Sequence, residues 1–454
     1  MFLGALDQTI VAPALPTIGR ELGDVDALPW VVTAYLISST AVTPLYGKLS
    51  DIHGRRAMLL TSLALFVLGS IACALAPSML LLIAARGLQG IGGGGLISLA
   101  QTVIADVVAP KERARYQGMI ASVFVASSVI GPVLGGGFAQ MAHWSLIFWI
   151  NLPLGLLALW LTDRALRALP RHERPHQLDL LGAALIVAAT IGFLLALSWG
   201  GGRYPWRSPQ LLGLIGATVA LVLLFAGRLA TAREPFLPLS VLREPVVRLG
   251  TAAACCAMGT FIGLSIYVPV FLESARGLPA AQSGVALIPL MSGVIVGAVS
   301  SARLMMRIRH YRRPPLAGLV IAMAGCIALA LHPSSLPLPA VELLLAAVGA
   351  GIGTVLPVTT IAIQNAVPMH QLGTATGVMS FFRALGGAVA VAGLGALILG
   401  RGGADGIVGD LDVLFGRLFL SGAGGLGLAF VWLALMPERP LRDRLPRPGE
   451  AAEV

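Results

Sequence analysis

The chain has 454 residues, of which 57% are hydrophobic and only 11% charged, and its mean hydropathy is +0.86. These values exclude an ordinary soluble domain and indicate a protein that crosses a membrane many times. The formal net charge of +10 could suggest a nucleic-acid-binding protein. The positions of the lysines and arginines along the chain decide whether this charge indicates nucleic-acid binding.

Apolar segments follow one another along almost the whole chain. A helix needs about 20 mostly apolar residues to cross the hydrocarbon layer, so each segment predicts a membrane-spanning helix. The fourteen predicted helices are 2–18, 29–49, 57–76, 79–101, 117–140, 145–163, 178–199, 209–227, 247–272, 283–303, 315–332, 340–363, 372–400 and 415–436. The fold class predicted is therefore an all-α polytopic membrane protein.

The lysines and arginines are concentrated in alternate loops. One set of loops and the C-terminal tail carry 23 of them, against five in the opposite loops. By the positive-inside rule the richer side is cytoplasmic, which predicts an inner (plasma) membrane protein with both termini in the cytoplasm. The basic charge thus reflects topology in a lipid bilayer, and nucleic acid is not an expected partner.

The first predicted helix is unusually short. Its roughly 17 residues at about 1.5 Å each give about 25 Å, less than the ~30 Å hydrocarbon core. It also lacks the flanking cations that the other cytoplasmic ends carry. We therefore expect further residues upstream of Met1.

The cysteines and histidines show no metal-ligand spacing. Cys73, Cys255, Cys256 and Cys326 fall inside apolar segments and are expected to be buried structural thiols. The GIGGGG run in the fourth segment is not followed by Lys-Ser or Lys-Thr, so it is not a phosphate-binding loop. The sequence predicts no metal, no cofactor and no enzyme.

Several motifs occur in a recognisable order. They are LDQTIV (6–11), GKLSDIHGRRAML (47–59), RGLQGIGGG (86–94), SSVIGPVLGGG (127–137), WSLIFWINLPLG (144–155) and FFRALGGAVAVAG (381–393). Together they resemble the motifs of the major facilitator superfamily, and in particular its fourteen-helix drug:proton antiporter branch. Ser127 stands where that branch commonly has glycine.

The resemblance implies a domain organisation. It places an N-terminal six-helix bundle at 1–163, a linker with two additional central helices at 164–245, a C-terminal six-helix bundle at 246–436 and a cytoplasmic tail at 437–454. It also implies export of hydrophobic, often cationic drugs by alternating access, driven by the proton gradient, by a protein expected to be a monomer. Export of one specific metabolite, such as a siderophore, sugar or self-made antibiotic, is the alternative that sequence does not separate.

Asp7 is the only carboxylate deep inside a predicted helix. An ionised acid in hydrocarbon is costly, so a carboxylate there can take up and release a proton, as a proton-coupled carrier requires. The alternative is a packing role, with the carboxylate bonded to Thr9 or to a neighbouring helix. We expect Asp7 to be the main proton carrier.

Two arginines also lie inside predicted helices. Arg86 is the expected counterpart of Asp7, since in the resembled family the matching arginine is implicated in proton coupling through attraction to the acid, and the alternative is an arginine held by backbone carbonyls. Arg383 is a candidate for the substrate cavity, and the alternative is that its long side chain extends to the cytoplasmic surface.

The fifth-segment and loop motifs have expected roles of their own. In the resembled family Gly131, Pro132, Gly135 and Gly136 mark exporters, although a generic small-residue packing face uses similar residues. The loop motif predicts a conformational latch between the two bundles, and its alternative is a solvated topogenic loop. The predicted latch residues are Gly47, Asp51, Gly54, Arg55, Arg56 and Asp106.

A substrate cavity is expected near the midplane between the bundles. Aromatic and amide side chains suit flat, apolar and often cationic compounds, although membrane aromatics commonly only pack or anchor. Besides Arg383, the candidate lining residues are Trp30, Tyr35, Gln89, Asn151, Tyr267 and Phe381. The sequence thus predicts a secondary transporter of small molecules.

Overall fold

The computed structural model describes residues 1–24, 27–141, 143–167, 179–201, 203–232, 234–308, 310–332, 335–399 and 411–442. Within these residues, thirteen helices are long and apolar enough to cross a membrane. The all-α polytopic fold class predicted from the sequence is therefore confirmed. Parts of the predicted linker (168–178) and tail (443–454) lie outside the described residues.

The helices fall into three groups along the chain. The first group comprises α1 Phe2–Ile10, α2 Leu15–Leu22, α3 Leu28–His53, α4 Arg55–Ala74, α5 Met79–Val107, α6 Pro110–Met141, α7 Leu146–Trp149 and α8 Asn151–Leu166. The middle group comprises α9 Leu180–Trp199, α10 Pro209–Thr231 and α11 Leu239–Arg243. The last group comprises α12 Pro245–Arg276, α13 Ala280–Val285, α14 Ile288–Met305, α15 Arg313–Leu331, α16 Leu338–Ala366, α17 Leu372–Leu399 and α18 Leu411–Leu435.

The first membrane segment is not the single helix that was predicted at 2–18. A 3-10 turn at Ala12–Ala14 separates α1 from α2. Pro13 and Pro16 lack a backbone N–H and disfavour a continuous helix, which explains the interruption. The segment is therefore helical but broken, and its first piece carries Asp7.

Glycines let the helices within each half approach closely. A Cβ atom on Gly92 of α5 would lie 2.2 Å from the backbone nitrogen of Phe66 in α4. In the second half, a Cβ atom on Gly297 of α14 would lie 1.9 Å from the carbonyl oxygen of Ala350 in α16. Small residues at such crossings are typical of helix packing in membranes, where close van der Waals contact stabilises association.

The two outer groups meet most extensively along two pairs of helices. α3 packs against α17 and α6 packs against α14, with smaller contacts between α5 and α17 and between α6 and α16. Each pair therefore joins an element of the first half to an element of the second.

The middle helices lie against this junction. α9 packs against α10, α3 and α17. At one end of the pair, Asp179 accepts hydrogen bonds from the Gly182 nitrogen and from Arg228 Nε, both at 3.0 Å. At the other end, the ring of Trp199 lies edge to face on Trp30, with centroids 6.1 Å apart. The additional helices thus contact both halves of the protein.

Candidate functional site

A buried ion pair joins α1 to α5. Arg86 Nη1 donates a hydrogen bond to Asp7 Oδ2 at 2.7 Å. The side chain of Asp7 is 0% exposed and that of Arg86 is 1% exposed. Coulomb attraction is strong in such a low-dielectric setting, and removing either partner leaves a costly buried charge. Arg86, which was expected as the counterpart of Asp7, therefore forms one unit with it.

Polar side chains of α5, α8 and α4 complete the environment of Asp7. Gln89 Nε2 donates to Asp7 Oδ1 at 2.9 Å, and Asn151 Nδ2 lies 3.4 Å from the same oxygen. Both amides also donate to Ser70 Oγ, at 3.2 and 2.9 Å. Among the described residues, Asn151 Oδ1 has no hydrogen-bond partner. The cluster thus combines one carboxylate, one guanidinium, two amides and one spare acceptor.

The guanidinium of Arg86 has several partners besides the carboxylate. Its Nε donates to the carbonyl oxygen of Val31 at 2.9 Å, and its Nη1 donates to Gln89 Oε1 at 2.6 Å. The ring of Tyr35 lies 4.3 Å from the guanidinium carbon, a distance at which a cation–π contact is favourable. A backbone carbonyl therefore holds one nitrogen of Arg86, while the ion pair engages another.

The position of α1 is set by its contacts with α6. Thr9 Oγ1 donates to the carbonyl oxygen of Ser127 in α6 at 2.9 Å and approaches that of Leu6 at 3.1 Å. The Thr9 hydroxyl is thus directed at backbone carbonyl oxygens, and the alternative in which it bonds to the Asp7 carboxylate is not observed. The small Ser127 side chain is fully buried, as its place in a close helix contact requires.

The glycines predicted to mark exporters lie at the same contact. A Cβ atom on Gly131 would lie 2.0 Å from an α1 side-chain oxygen, and one on Gly135 would lie 2.1 Å from the carbonyl oxygen of Ile10. Gly136 is less crowded, with its nearest neighbour at 3.9 Å. Pro132 lies inside α6 and removes one backbone donor from the helix. Gly131 and Gly135 thus allow α1, and with it Asp7, to reach its position.

A second polar cluster lies where α3 meets α4. Arg55 Nε donates to Asp106 Oδ2 at 2.7 Å, and Arg55 Nη1 donates to Asp51 Oδ1 and, at 2.7 Å, to Ser50 Oγ. We call Asp51, Arg55 and Asp106 the Arg55 cluster. It brings together three of the six predicted latch residues, from α3, α4 and α5.

The Arg55 cluster also contacts the second half of the protein. Asp51 accepts hydrogen bonds from the Gly373 nitrogen at 3.0 Å, the Thr374 nitrogen at 2.7 Å and Thr374 Oγ1 at 2.6 Å. The carboxylate therefore binds the first backbone donors of α17, where the helix dipole also favours a negative charge. A Cβ atom on Gly47 would lie 2.5 Å from the carbonyl oxygen of Gly373. The two halves are closed against each other at this end.

The remaining latch candidates lie nearby but make other contacts. Gly54 joins α3 to α4 with a φ of +87°, a conformation that favours glycine. Arg56 Nε donates to Asp163 Oδ1 at 3.1 Å, and Arg167 Nε donates to Asp163 Oδ2 at 2.9 Å. Arg56 therefore ties α4 to α8 within the first half.

The residues predicted to line one substrate cavity are found in different places. Tyr35, Gln89 and Asn151 belong to the cluster around Asp7 and are 2%, 0% and 0% exposed. Trp30 packs against an aromatic ring of α9, and Tyr267 Oη donates to the carbonyl oxygen of Val391 at 2.9 Å. Phe381 is also buried. Packing and hydrogen bonding account for these six side chains. The remaining candidate, Arg383, has a buried Nε donor without a partner among the described residues.

Several contributors to these clusters are absent from the predicted set. Among them are Ser50, Ser70, Asp163, Gly373 and Thr374. Asp163 could have been noticed as an acid between Arg56 and Arg167 at one membrane face, but a serine or glycine among many gives no comparable signal. Gly373 acts through its backbone, and no side-chain pattern indicates that.

The comparisons with known proteins agree with this architecture. A bacterial homologue of the iron transporter ferroportin, solved in an outward-facing state, has a similar fold, with a TM-score of 0.67, 14% identity and coverage of 95% of this chain and 97% of that one. The multidrug transporter protein MdtP of Bacillus subtilis (strain 168) is 34% identical over 91% of this chain and 77% of its own length.

A further relative and a family model complete the comparisons. The uncharacterized MFS-type transporter Rv1877 of Mycobacterium tuberculosis (strain ATCC 25618 / H37Rv) is 35% identical over 93% of this chain, which spans 60% of that relative. A family model described as Major Facilitator Superfamily matches residues 1–391. The chain is a multi-pass membrane transporter that belongs to the major facilitator superfamily.

Proposed function

We propose that this protein is a proton-coupled antiporter that exports hydrophobic compounds across the inner (plasma) membrane, with both termini in the cytoplasm. Its relative MdtP is named a multidrug transporter, which supports export of more than one compound. The distribution of cations among the loops supports the orientation. Under this orientation the Arg55 cluster lies on the cytoplasmic side.

The observation that carries the proposal is the buried ion pair. Asp7 is an acid with 0% exposure whose charge is balanced by Arg86 at 2.7 Å. Protonation removes the negative charge and leaves the guanidinium without its counter-ion, so the two states favour different arrangements of α1 and α5. The bonds of Arg86 to Val31 and Gln89 reduce the cost of the protonated state. Such a unit can couple proton uptake to a conformational change.

Asn151 supplies a partner for the protonated acid. Asp7 accepts hydrogen bonds in the described state, but a protonated carboxyl group also donates one. The unpartnered Asn151 Oδ1 belongs to the amide whose nitrogen lies 3.4 Å from Asp7 Oδ1. Rotation of this amide by half a turn would present the oxygen to the new O–H group. Asn151 therefore acts as a positioning residue for the proton.

Alternating access follows from two contacts that have to change together. With the Arg55 cluster bound to α17, the protein is closed on the proposed cytoplasmic side. Asp7 would take up a proton from outside before this contact opens and would release it inside after the contact has opened. Because an ion pair and a few hydrogen bonds contribute only a few kcal/mol, the protein can move between the two states with a modest bias.

The direct test is efflux of the neutral dye Nile red from cells that express the full chain. We expect wild-type efflux to stop with a protonophore and to stop in Asp7→Asn. Glu273→Gln, which neutralises an exposed acid near the end of α12, is the matched control and should export normally. Efflux that persists in Asp7→Asn, or that ignores the protonophore, would contradict the proposal. Export of only one compound from a chemical panel would instead support the specific-metabolite alternative.

A further inference from the structure

Arg383 is a membrane-embedded cation with contacts to one neighbouring helix. It lies in the interior of α17, and its Nη2 donates to the carbonyl oxygen of Leu356 at 3.0 Å, Thr359 Oγ1 at 3.1 Å and Thr360 Oγ1 at 2.9 Å. All three acceptors belong to α16 and are neutral. These bonds fix the orientation of the guanidinium without balancing its charge.

The rest of the guanidinium is free to bind another molecule. A guanidinium has five N–H donors, and only Nη2 is engaged by the described residues. Arg383 Nε is buried and has no hydrogen-bond partner within the described part of the chain. No ion pair involves Arg383 among those residues either, whereas Arg86 pairs with Asp7. A buried charge in this situation is costly unless a ligand compensates it.

The location of Arg383 favours the space between the two halves. The side chain is partly exposed although it lies far from both ends of α17. A charge facing the lipid at this depth would be strongly unfavourable. α17 contacts α3 and α5, and α16 contacts α6, so both helices that hold Arg383 border the first half. Transporters of this architecture bind their substrates between the halves near the midplane.

We propose that Arg383 binds an acidic oxygen-bearing group, such as a carboxylate or sulfonate, on the exported compound. The inference rests on the proposed export function and names its substrate class as amphipathic organic anions. The charge inventory supports it, because Asp7, the carboxylate deep in a helix among the described residues of the first half, is already neutralised by Arg86. A cationic compound would meet an unbalanced positive charge. The acid group therefore takes the place of the missing counter-ion.

Equilibrium binding to the purified full chain in lipid nanodiscs tests the proposal. The probes are pyrenebutyric acid, pyrenebutanol and pyrenebutyl-trimethylammonium, which share one apolar body and differ in charge. Energy transfer from the protein's tryptophans to pyrene reports binding, and empty nanodiscs correct for partition into lipid. We expect wild type to bind the acid roughly tenfold or more tightly than the alcohol, and the ammonium compound most weakly.

Variants assign this preference to one residue. Arg383→Gln should lose roughly tenfold in affinity for the acid and little for the alcohol, whereas Arg383→Lys should keep most of the preference. Arg417→Gln removes an exposed arginine of α18 and should bind all three probes as wild type does. Unchanged acid binding in Arg383→Gln would overturn the proposal. If that variant does not fold, the wild-type ranking decides, because equal or tighter binding of the ammonium probe would overturn it.

The two proposals can fail separately in the same set of measurements. Acid-selective binding without gradient-driven efflux would support the anion site and contradict the proposed export function. Nile red efflux that depends on the gradient, combined with no preference for the acid, would support export and overturn the anion site.

Discussion

Arg86 and Arg383 are both arginines embedded in membrane helices, but they differ in the partners that balance their charge. Arg86 binds a carboxylate at 2.7 Å and is 1% exposed. Arg383 binds a carbonyl and two hydroxyl oxygens, and its Nε has no partner among the described residues. The first half therefore holds a charge-balanced pair, where we propose that a proton acts, and the second half holds an arginine without an ion pair among the described residues, where we propose that an acidic substrate group binds.

The largest effect that this comparison predicts is on stability when the ion pair is broken. Arg86→Gln should destabilise the protein by about 3–5 kcal/mol, because Asp7 would be left charged and buried. The double variant Asp7→Asn/Arg86→Gln should recover much of that loss. Thermal unfolding of the purified proteins measures both. Additive losses in the double variant would show that the two residues are not coupled.

The next effect concerns the helix that carries Asp7. Gly135→Ala should destabilise the protein by about 1–3 kcal/mol and reduce efflux, because the new Cβ atom would meet the Ile10 carbonyl oxygen 2.1 Å away. Gly137→Ala is the matched control on the same helix, since a Cβ atom there has no neighbour within 4 Å. Unfolding and Nile red efflux of the two variants should differ clearly. Equal behaviour would mean that α1 is not held at this crossing.

A smaller effect is expected at the contact between the halves. Asp51→Asn should weaken the closed arrangement by about 1 kcal/mol, since the charge at the start of α17 is lost. That is about a fivefold change in the ratio of the two states. Spin labels on the ends of α3 and α17 would report it as a distance distribution. Asp163→Asn, which alters an ion pair within the first half, should leave the distribution unchanged.

The smallest effect sharpens the comparison most. Arg383→Gln should change stability by less than about 1 kcal/mol, because removing an unpaired charge also removes its desolvation cost. The same substitution at Arg86 should be strongly destabilising, so thermal unfolding of the two variants side by side is the measurement. A large loss at Arg383 would identify it as a structural pin between α16 and α17.

Hydropathy was sufficient to locate the membrane helices after the first. Each predicted span after the first corresponds to a described helix or a pair of short helices, because the bilayer imposes length and apolarity on every segment. The broken first segment was the exception, and its cause, Pro13 and Pro16, was visible in the sequence. Composition alone does not show how two prolines divide a short helix.

The resemblance paired Asp7 with Arg86, but the remaining contacts of the site were harder to predict. Asp7 and Arg86 were identified because charges are rare in membrane helices. Their direct contact spans 79 positions in the chain, and the contribution of Asn151 spans 144. Contacts between residues so far apart in the chain leave no local pattern in the sequence. Within the described part of the chain Arg383 has neutral hydrogen-bond partners and no ion pair, which is a property of the folded helices that only the structure reveals.

The contact between Asp51 and α17 has a consequence for how such transporters diversify. Two of the three bonds to Asp51 come from backbone nitrogens, which every residue except proline provides. A matched pair of side chains is therefore not needed, and analysis of residue covariation would find little coupling between positions 51 and 373. A saturation mutagenesis screen would detect it differently, as intolerance of any side chain at position 373, where a Cβ atom would lie 2.6 Å from Asp51 Oδ1, together with a preference for an acid at position 51.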